Sequence, residues 1–393
     1  MPTPLASRPA FWSVVVLFFY NGFGMGAYAG GLATTKARVG ATDWRMSLVF
    51  IVTGVAAITA MQVCGRLADR YGARRVALAA IVPAILAELA LAGASTYPAL
   101  LAAVVVCGLG NGSLDVTMNV LAVGVEKAGG RPVMSFFHGT WSVGSMAGAA
   151  AVAAVGRLSG WSPTRTLVTV FLGIAVVGVA VWFVARRITP ETEPVHHVTA
   201  SGEKAPIPPL AYLFGLMAVA AGIGEGVGSD WSAIHAETVA GVSPTTAALA
   251  YTAMASAMLA VRLVGDLIVT RIGRRATVFW GAFAAMAGYL VAALATPFPL
   301  LLVGWALVGL GCGNVFPQVY GAAGHAAGGR GLAVVVTFGY ATFLISPALM
   351  GTVITAIGIR PTMFVPAALL VGLVLLSRIL PGREEELSLG KAV

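Results

Sequence analysis

The chain has 393 residues, of which 58% are hydrophobic and only 10% are charged. Soluble domains carry roughly 25% charged residues, so this composition excludes an ordinary soluble domain. The formal net charge of +9 comes from basic residues that sit in particular loops, and this placement argues against a nucleic-acid partner. The composition therefore predicts a protein embedded in a lipid bilayer.

Apolar windows of about 20 residues recur along the chain, the length that a helix needs to cross roughly 30 Å of hydrocarbon. Backbone polar groups in lipid need partners within the protein, so we expect these windows to be helices. We predict twelve spans, at 10–33, 45–66, 76–95, 98–124, 134–156, 165–185, 209–228, 244–269, 276–295, 298–324, 332–357 and 361–380.

A charged, proline-rich segment at 186–208 divides six spans from six. We therefore expect an N-terminal six-helix half at 1–185, a cytoplasmic central loop, and a C-terminal six-helix half with a short cytoplasmic tail at 209–393. Three motifs recur in the same order in both halves, at 65–75 and 265–275, 108–112 and 309–313, and 128–131 and 327–330. Such an order predicts pseudo-symmetric parallel halves, related by an axis along the membrane normal.

The 24 Lys and Arg residues are distributed unevenly between the loops. Most lie in the N-terminal segment, in alternate loops including 65–75, and in the C-terminal segment. Because cytoplasmic loops carry an excess of basic residues, both termini are expected in the cytoplasm.

The motif at 65–75, which reads G-x-L-A-D-R-x-G-x-R-R, resembles the loop signature of the major facilitator superfamily. The motifs at 115–119, 135–138, 230–232 and 262–266 are similar to a bacterial branch near the fucose permeases and the rhizopine-type membrane proteins. The resemblance implies a monomeric rocker-switch transporter of the bacterial inner membrane. Spans 1, 4, 7 and 10 would line its central cavity, and spans 2, 5, 8 and 11 would flank it.

Ionisable groups within spans are costly and mark pathways or gates. Asn111, Asp115 and Asn119 are four residues apart, so they stack on one face of the fourth span. Burial favours a protonated carboxyl, which makes Asp115 the hypothesised proton-coupling residue, with a structural hydrogen bond as the alternative. Glu225, in the glycine-rich seventh span, is the second candidate, although it could instead snorkel to the interface. Glu88 lies in the third span, which the fold would place peripherally.

Further polar side chains share helix faces in other spans. His138 and Trp141 share a face of the fifth span, Asn21 and Tyr28 are seven residues apart in the first, and Pro317 is expected to kink the tenth. The alternative for these side chains is ordinary packing. The hypothesised substrate-binding residues are Asn21, Tyr28, Asn111, Asn119, His138, Trp141, Asn314 and Gln318.

The motif at 65–75 is a turn rich in arginine, which we call the basic turn. Besides favouring a cytoplasmic position for its loop, it has a mechanical interpretation. Asp69 could lie at a neighbouring helix N-terminus, where a negative charge is stabilised. The second copy has Thr270 at this position, which puts a second contact of this kind in doubt, and Arg262 and Asp266 are expected to form an i, i+4 pair. The hypothesised gating residues are Gly65, Asp69, Arg70, Gly72, Arg74, Arg262 and Asp266.

The residue pattern shows no Ser/His/Asp triad, phosphate loop or metal-ligand cluster, so we expect neither an enzyme nor a cofactor. The fifth span has Gly144 and Gly148 without a proline between them, unlike the signature of the family's drug antiporters. We therefore predict a proton-coupled secondary transporter of a small polar solute (a sugar, a polyol or an aminated relative), working with protons in a lipid bilayer. The alternatives are a proton-driven drug or metabolite efflux antiporter, and a substrate-sensing or lipid-scrambling protein.

Overall fold

The computed structural model describes residues 7–189 and 207–382, and every regular element in these ranges is helical. The α-helices are α1 (Arg8–Gly30), α2 (Leu32–Arg38), α3 (Asp43–Tyr71), α4 (Ala73–Gly93), α5 (Tyr97–Gly129), α6 (Met134–Ser159), α7 (Pro163–Ile188), α8 (Pro209–Ala240), α9 (Pro244–Leu294), α10 (Phe298–Cys312), α11 (Val315–Ile357), α12 (Ile359–Thr362) and α13 (Phe364–Leu376), and a 3-10 turn follows at Ser377–Ile379.

Several helices begin at side-chain caps that the sequence supplies. Ser7, Thr42 and Ser162 precede α1, α3 and α7, and each side-chain oxygen accepts a hydrogen bond from a backbone N–H in the first turn. A proline follows within the first two helical positions of α1 and α7, where its missing N–H costs nothing. These caps fix the residues at which the three helices begin.

Two helices are too long for a single crossing. The 51 residues of α9 would span roughly 77 Å as a straight helix, against roughly 30 Å of hydrocarbon. Gly273 interrupts α9 with a φ of 80° and a ψ of 164°, and Gly328 interrupts α11 with a φ of 62° and a ψ of −162°. Glycine tolerates positive φ without the steric cost that a Cβ would add, so each break falls at the residue best suited to it.

Nine stretches of the described residues are long and apolar enough to cross a membrane. Two of them, 246–294 and 298–357, contain the breaks at Gly273 and Gly328. The 26-residue helix α6, which carries more polar side chains, lies outside the nine. Dividing the two long stretches at their glycines and adding α6 yields the twelve predicted helices, so the expected all-helical membrane fold is confirmed.

The described residues pack as two compact units. The first contains residues 7–129, 137–189 and 327–333, and the second contains 130–136, 208–326 and 334–382. Each unit includes one short segment from the other half of the sequence. Of the predicted central loop, residues 190–206 lie outside the described residues.

Candidate functional site

A chain of side-chain hydrogen bonds joins three helices of the first unit. The indole Nε1 of Trp141 on α6 donates to Oδ1 of Asn21 on α1 at 2.8 Å, and Nδ2 of Asn21 donates to Oδ1 of Asn111 on α5 at 2.9 Å. The structure thus brings together three of the side chains predicted from sequence to bind substrate. In an apolar helix bundle, such a satisfied polar chain orders every member of the set.

A cavity of about 30 Å³ lies beside this chain, between α1, α4 and α5. Its wall includes Asn21, Tyr28 and Asn111. Asn21 and Tyr28, whose spacing predicted a common helix face, therefore both line this cavity. Asn111 on α5 lines it as well.

The polar stripe of α5 continues towards α6. Asp115 is 8% exposed and Asn119 is fully buried. Nδ2 of Asn119 donates to the backbone carbonyl of Asp115 at 2.9 Å, and Oδ1 of Asn119 lies 3.2 Å from Nε2 of His138. The amide of Asn119 therefore joins the backbone of α5 to the imidazole of His138.

Close helix packing holds α1 against α6. A Cβ at Gly22 or Gly26 of α1 would run into the backbone of Trp141 or Ser145, and one at Gly148 of α6 would run into the backbone of Phe23. Small residues four apart let two membrane helices approach to backbone contact. This approach brings the indole of Trp141 within reach of Asn21.

The second unit contains an ion pair in which the guanidinium is buried. Nη2 of Arg262 on α9 lies 3.1 Å from Oε2 of Glu225 on α8, and Nε of Arg262 donates to the carbonyl of Gly313 at 2.9 Å. Pro317 is four residues after Gly313 and has no N–H to give that carbonyl, so the helix ends at Cys312 and the freed oxygen accepts from Arg262. The break near Pro317 was expected, and its effect on Arg262 was not.

Asp266 caps the start of α6 within the second unit. Its Oδ1 and Oδ2 accept from the backbone N–H groups of Ser135 and Phe136 at 2.9 and 2.8 Å. Gln318 is fully buried beside them, donates to Oγ of Ser135 at 2.9 Å and accepts from Nη1 of Arg274 at 3.3 Å. The second copy of the basic turn, in which the sequence put such a contact in doubt, therefore also makes an acidic helix-end contact, through Asp266.

Asp69 makes the corresponding contact in the first unit. Its Oδ1 and Oδ2 accept from the backbone N–H groups of Gly329 and Arg330 at 2.9 and 3.0 Å. These two residues directly follow the break at Gly328, so Asp69 lies at the start of a helical segment, as its position in the motif predicted. Gly65 allows the approach, because a Cβ there would meet Ala333 and the carbonyl of Gly329.

Among the other residues of the basic turn, Gly72 and Arg74 hold neighbouring helices in place, and Arg70 is exposed. Gly72 has a φ of 86° and joins α3 to α4. Nε and Nη2 of Arg74 donate to the carbonyls of Thr189 and Arg186 at 2.7 and 2.8 Å, at the end of α7. Arg70 is exposed and stacks over the ring of Tyr71. Arg74 therefore caps a helix C-terminus, where a cation is favourable.

Two predicted lining residues have backbone or buried partners in the second unit. Nδ2 of Asn314 donates to the carbonyl of Val261 at 3.2 Å, and Gln318 makes the contacts given above. Their role in substrate binding stays a prediction. The sequence did not predict that Ser135 and Arg274 would be hydrogen-bonded to Gln318. Arg274 is only 6% exposed, but in the sequence it is one of several arginines in a basic turn, and nothing there marks it as buried. Among the described residues, no cluster of three His, Cys, Asp or Glu side chains could hold a metal.

Relatives of known sequence match almost the whole chain. The chain is 32% identical over 355 residues to the uncharacterised transporter y4wD of Sinorhizobium fredii, covering 88% of this chain and 92% of that protein. It is 28% identical over 359 residues to the membrane protein MosC of Rhizobium meliloti, covering 90% and 86% of the two chains. These matches place the chain among bacterial transporters of the branch that its motifs indicated.

The fold and the family comparisons agree. The fucose:proton symporter FucP of E. coli superposes with a TM-score of 0.77 at 15% identity, covering 94% of this chain and 97% of that one. The family model described as Major Facilitator Superfamily matches residues 14–229 and 210–392. The chain is therefore a multi-pass membrane transporter that belongs to the major facilitator superfamily.

Proposed function

We propose that this transporter moves a small polar solute (a sugar, a polyol or an aminated relative) by alternating access, coupled to protons. The observation that carries the proposal is the hydrogen-bonded chain of Trp141, Asn21 and Asn111, which joins three helices of the first unit. An indole and two amides offer an aromatic face and both kinds of hydrogen-bonding group, which suits a hydroxylated solute. The likeness to a fucose:proton symporter agrees with this choice.

Asp115 is the proposed coupling residue. It lies on the α5 stripe between Asn111 and Asn119, and 8% of its surface is exposed. A buried carboxyl that gains and loses access to water as the transporter changes state can load a proton on one side and release it on the other. His138, bonded to Asn119, is the adjacent proton-capable group.

Glu225 takes a different part in the proposal. Its carboxylate already balances the guanidinium of Arg262, so a proton arriving at Glu225 would weaken the ion pair. We propose that Glu225 couples protonation to the packing of α8 against α9. In this proposal Asp115 binds the proton that is transported, whereas protonation of Glu225 weakens its ion pair with Arg262.

Asp69 and Asp266 are the proposed gates. Each carboxylate holds two backbone N–H groups at the start of a helical segment from the other half of the sequence. A change of state that separates such a segment from its carboxylate must break both hydrogen bonds. Gly65, Gly72 and Arg74 shape the first turn, and Arg70 contributes positive charge.

The membrane orientation is part of the same proposal. The basic loops favour both termini in the cytoplasm of a bacterium, with the protein in the inner membrane. We propose that it works as a monomer. Fluorescent-protein and alkaline-phosphatase fusions at the C-terminus test the orientation, since only the first should be active.

Solute uptake into proteoliposomes tests the transport proposal. Radiolabelled fucose, a polyol and an amino sugar are offered to vesicles with an imposed inward proton gradient. We expect accumulation of at least one solute, and its loss when a protonophore is added. Accumulation that ignores the protonophore would contradict proton coupling, whereas net export of a preloaded solute driven by the gradient would support efflux instead.

A further inference from the structure

Glu88 is the one acidic side chain in the wall of the cavity between α1, α4 and α5. It extends from the C-terminal half of α4 and is only 9% exposed. A cavity of about 30 Å³ has room for about two water molecules, given that one needs roughly 10–15 Å³. The space is therefore large enough for water and small enough to exclude a sugar.

Two residues that line this cavity, Glu88 and Tyr20, each carry a buried oxygen atom without a hydrogen-bond partner in the described part of the chain. These atoms are Oε2 of Glu88 and the hydroxyl of Tyr20. A buried polar group without a partner costs about 1–3 kcal/mol, so a ligand in this cavity that bonds to Oε2 of Glu88 would stabilise the folded protein. Water and protons are the ligands that fit the volume.

Among the residues that the structure describes, none with a basic side chain lines this cavity. The titratable groups that share its wall with Glu88 are Tyr20 and Tyr28 from α1 and Cys107 from α5. Of the helices that pack on α4, α3 and α7 carry their charged residues near their ends, at Arg45, Arg66, Asp69 and Arg70 in α3 and at Arg165, Arg186 and Arg187 in α7. The third, α5, carries Glu126 and Lys127 near its end and the acid Asp115 near its middle. Burying a carboxylate without a counter-charge is expensive, and adding a proton removes that cost.

The residue that corresponds to Glu88 in the second half of the sequence is a tyrosine, Tyr289. Tyr289 follows Gly273 by the same number of residues as Glu88 follows Gly72, and both glycines have positive φ. The hydroxyl of Tyr289 donates to the carbonyl of Gly224 on α8. Glu88 lies against Gly24 on α1, where a Cβ would come within 2.7 Å of Oε1. At the position that corresponds to Glu88, the second half of the sequence thus has a neutral O–H donor. A protonated Glu88 carboxyl would also be a neutral O–H donor.

We propose that Glu88 is a second proton-binding site, loaded through water in this cavity and distinct from Asp115. A hydronium ion gives its proton to Oε2, leaving a neutral carboxyl and one water molecule, and the reverse step returns the proton to water. The inference deepens the proposed proton coupling and rests on it for its role in transport. The binding of the proton itself stands independently of any solute.

Infrared spectroscopy of the purified transporter in lipid films tests the site with protons as the only ligand. An ordinary glutamate has a pKa of about 4.3 and is ionised at neutral pH, so a protonated-carboxyl band at that pH reports a buried acid. We expect the wild type to show such a band and Glu88→Gln to lose part of it. Glu237→Gln, which removes an exposed carboxyl, should leave the band unchanged.

Two further arms keep the result decisive. Asp115→Asn should remove a separate component, so that Glu88→Gln and Asp115→Asn together lose more than either alone. Glu88→Asp should keep a shifted band, which controls for misfolding of the glutamine variant. Identical bands in the wild type and Glu88→Gln, with both proteins folded, would overturn the proposal. Because no solute is added, failed uptake in proteoliposomes would leave this result unaffected.

Discussion

Asn21 shows how a single amide can organise a site in an apolar bundle. Its oxygen accepts from Trp141 and its nitrogen donates to Asn111, so both ends of the amide are engaged. The seven-residue spacing from Asn21 to Tyr28 predicted their common face, since these positions lie two helical turns apart. The partners on α5 and α6 were not predictable, because they depend on glycine contacts between helices that are far apart in sequence.

Glu225 and Arg262 illustrate the same limit more strongly. They lie on different helices, and the sequence suggested Asp266 as the partner of Arg262 because it is four residues away. The guanidinium also bonds to the Gly313 carbonyl, an acceptor that exists only because Pro317 lacks an N–H. Periodicity within one helix does not report such contacts, and the i, i+4 pairing of Arg262 with Asp266 stays a prediction.

Replacing Glu225 with Gln should destabilise the second unit. The change removes a charged partner at 3.1 Å from a buried guanidinium, and hydrogen bonds to charged groups contribute about 1.5–3 kcal/mol. We expect a lower thermal unfolding midpoint in detergent, with partial recovery when Arg262→Gln is added, because the double variant no longer buries the charge. Glu237→Gln, at an exposed position, is the control. Additive losses in the double variant would contradict this account.

At the scale of helices, the contact between α1 and α6 depends on glycine. Gly22 and Gly26 are four residues apart, and so are Gly144 and Gly148 on the facing helix. A Cβ at any of them would strike the backbone of the partner helix. Backbone atoms cannot rotate away as a side chain can, so the helices would have to separate.

Gly26→Ala should therefore disrupt the first unit, whereas Gly173→Ala should not. A Cβ at position 26 would overlap the carbonyl of Ser145, but one at position 173 of α7 would meet nothing within 4 Å. Overpacking costs typically about 1–3 kcal/mol, whereas surface changes usually stay within about 0.5 kcal/mol. Size-exclusion profiles and thermal unfolding of the two variants measure the difference. Equal stability would show that α1 and α6 are not in backbone contact.

Helix ends are a second feature at this scale. Asp69 and Asp266 each accept two backbone N–H groups at a helix start, although they occupy different positions within the two copies of the basic turn. Aligning the copies on Gly72 and Gly273 pairs Asp69 with Thr270, and Asp266 lies one turn earlier. Both copies of the basic turn thus place a carboxylate at a helix start, but in the second copy the acid lies one turn earlier in the sequence. A residue-by-residue alignment of the two copies does not show this correspondence.

Asp69→Ala should speed amide hydrogen exchange at residues 329–330, and Asp266→Ala should do so at residues 135–136. A carboxylate at a helix N-terminus is worth about 0.3–1 kcal/mol, which corresponds to roughly a twofold to fivefold faster exchange. Thr270→Ala should affect neither segment, because its hydroxyl donates to the backbone carbonyl of Asp266 within its own helix. Exchange measured by mass spectrometry separates the two peptides. A loss of protection at the wrong peptide would contradict the assignment.

Helix boundaries show where hydropathy is a poor guide. The apolar window predicted the seventh span to end at 228, but α8 continues to Ala240 through Asp230 and Trp231. Polar residues compatible with helix do not end it, and Gly241, with a φ of 65°, does. The sequence predicted the number and order of spans because each needs an apolar window, whereas ends depend on single residues.

At the scale of the whole molecule, each compact unit contains one short segment from the other half of the sequence. Residues 327–333 belong to the first unit and residues 130–136 to the second, and each segment contains a glycine with positive φ. The gating proposal uses these two segments, because the carboxylates of Asp69 and Asp266 accept hydrogen bonds from their backbone N–H groups. The internal repeat predicted two similar halves, but the membership of these segments depends on contacts that a repeat does not reveal.

Proton movement that accompanies solute entry tests the central claim most directly. Lightly buffered proteoliposomes receive a monosaccharide, a polyol or an amino sugar while an electrode records the external pH. We predict that at least one solute makes the outside more alkaline in the wild type. We also predict that Asp115→Asn loses this change while still exchanging the same labelled solute across the membrane. Uptake of the solute without any pH change in the wild type, or an unchanged signal in Asp115→Asn, would contradict the account.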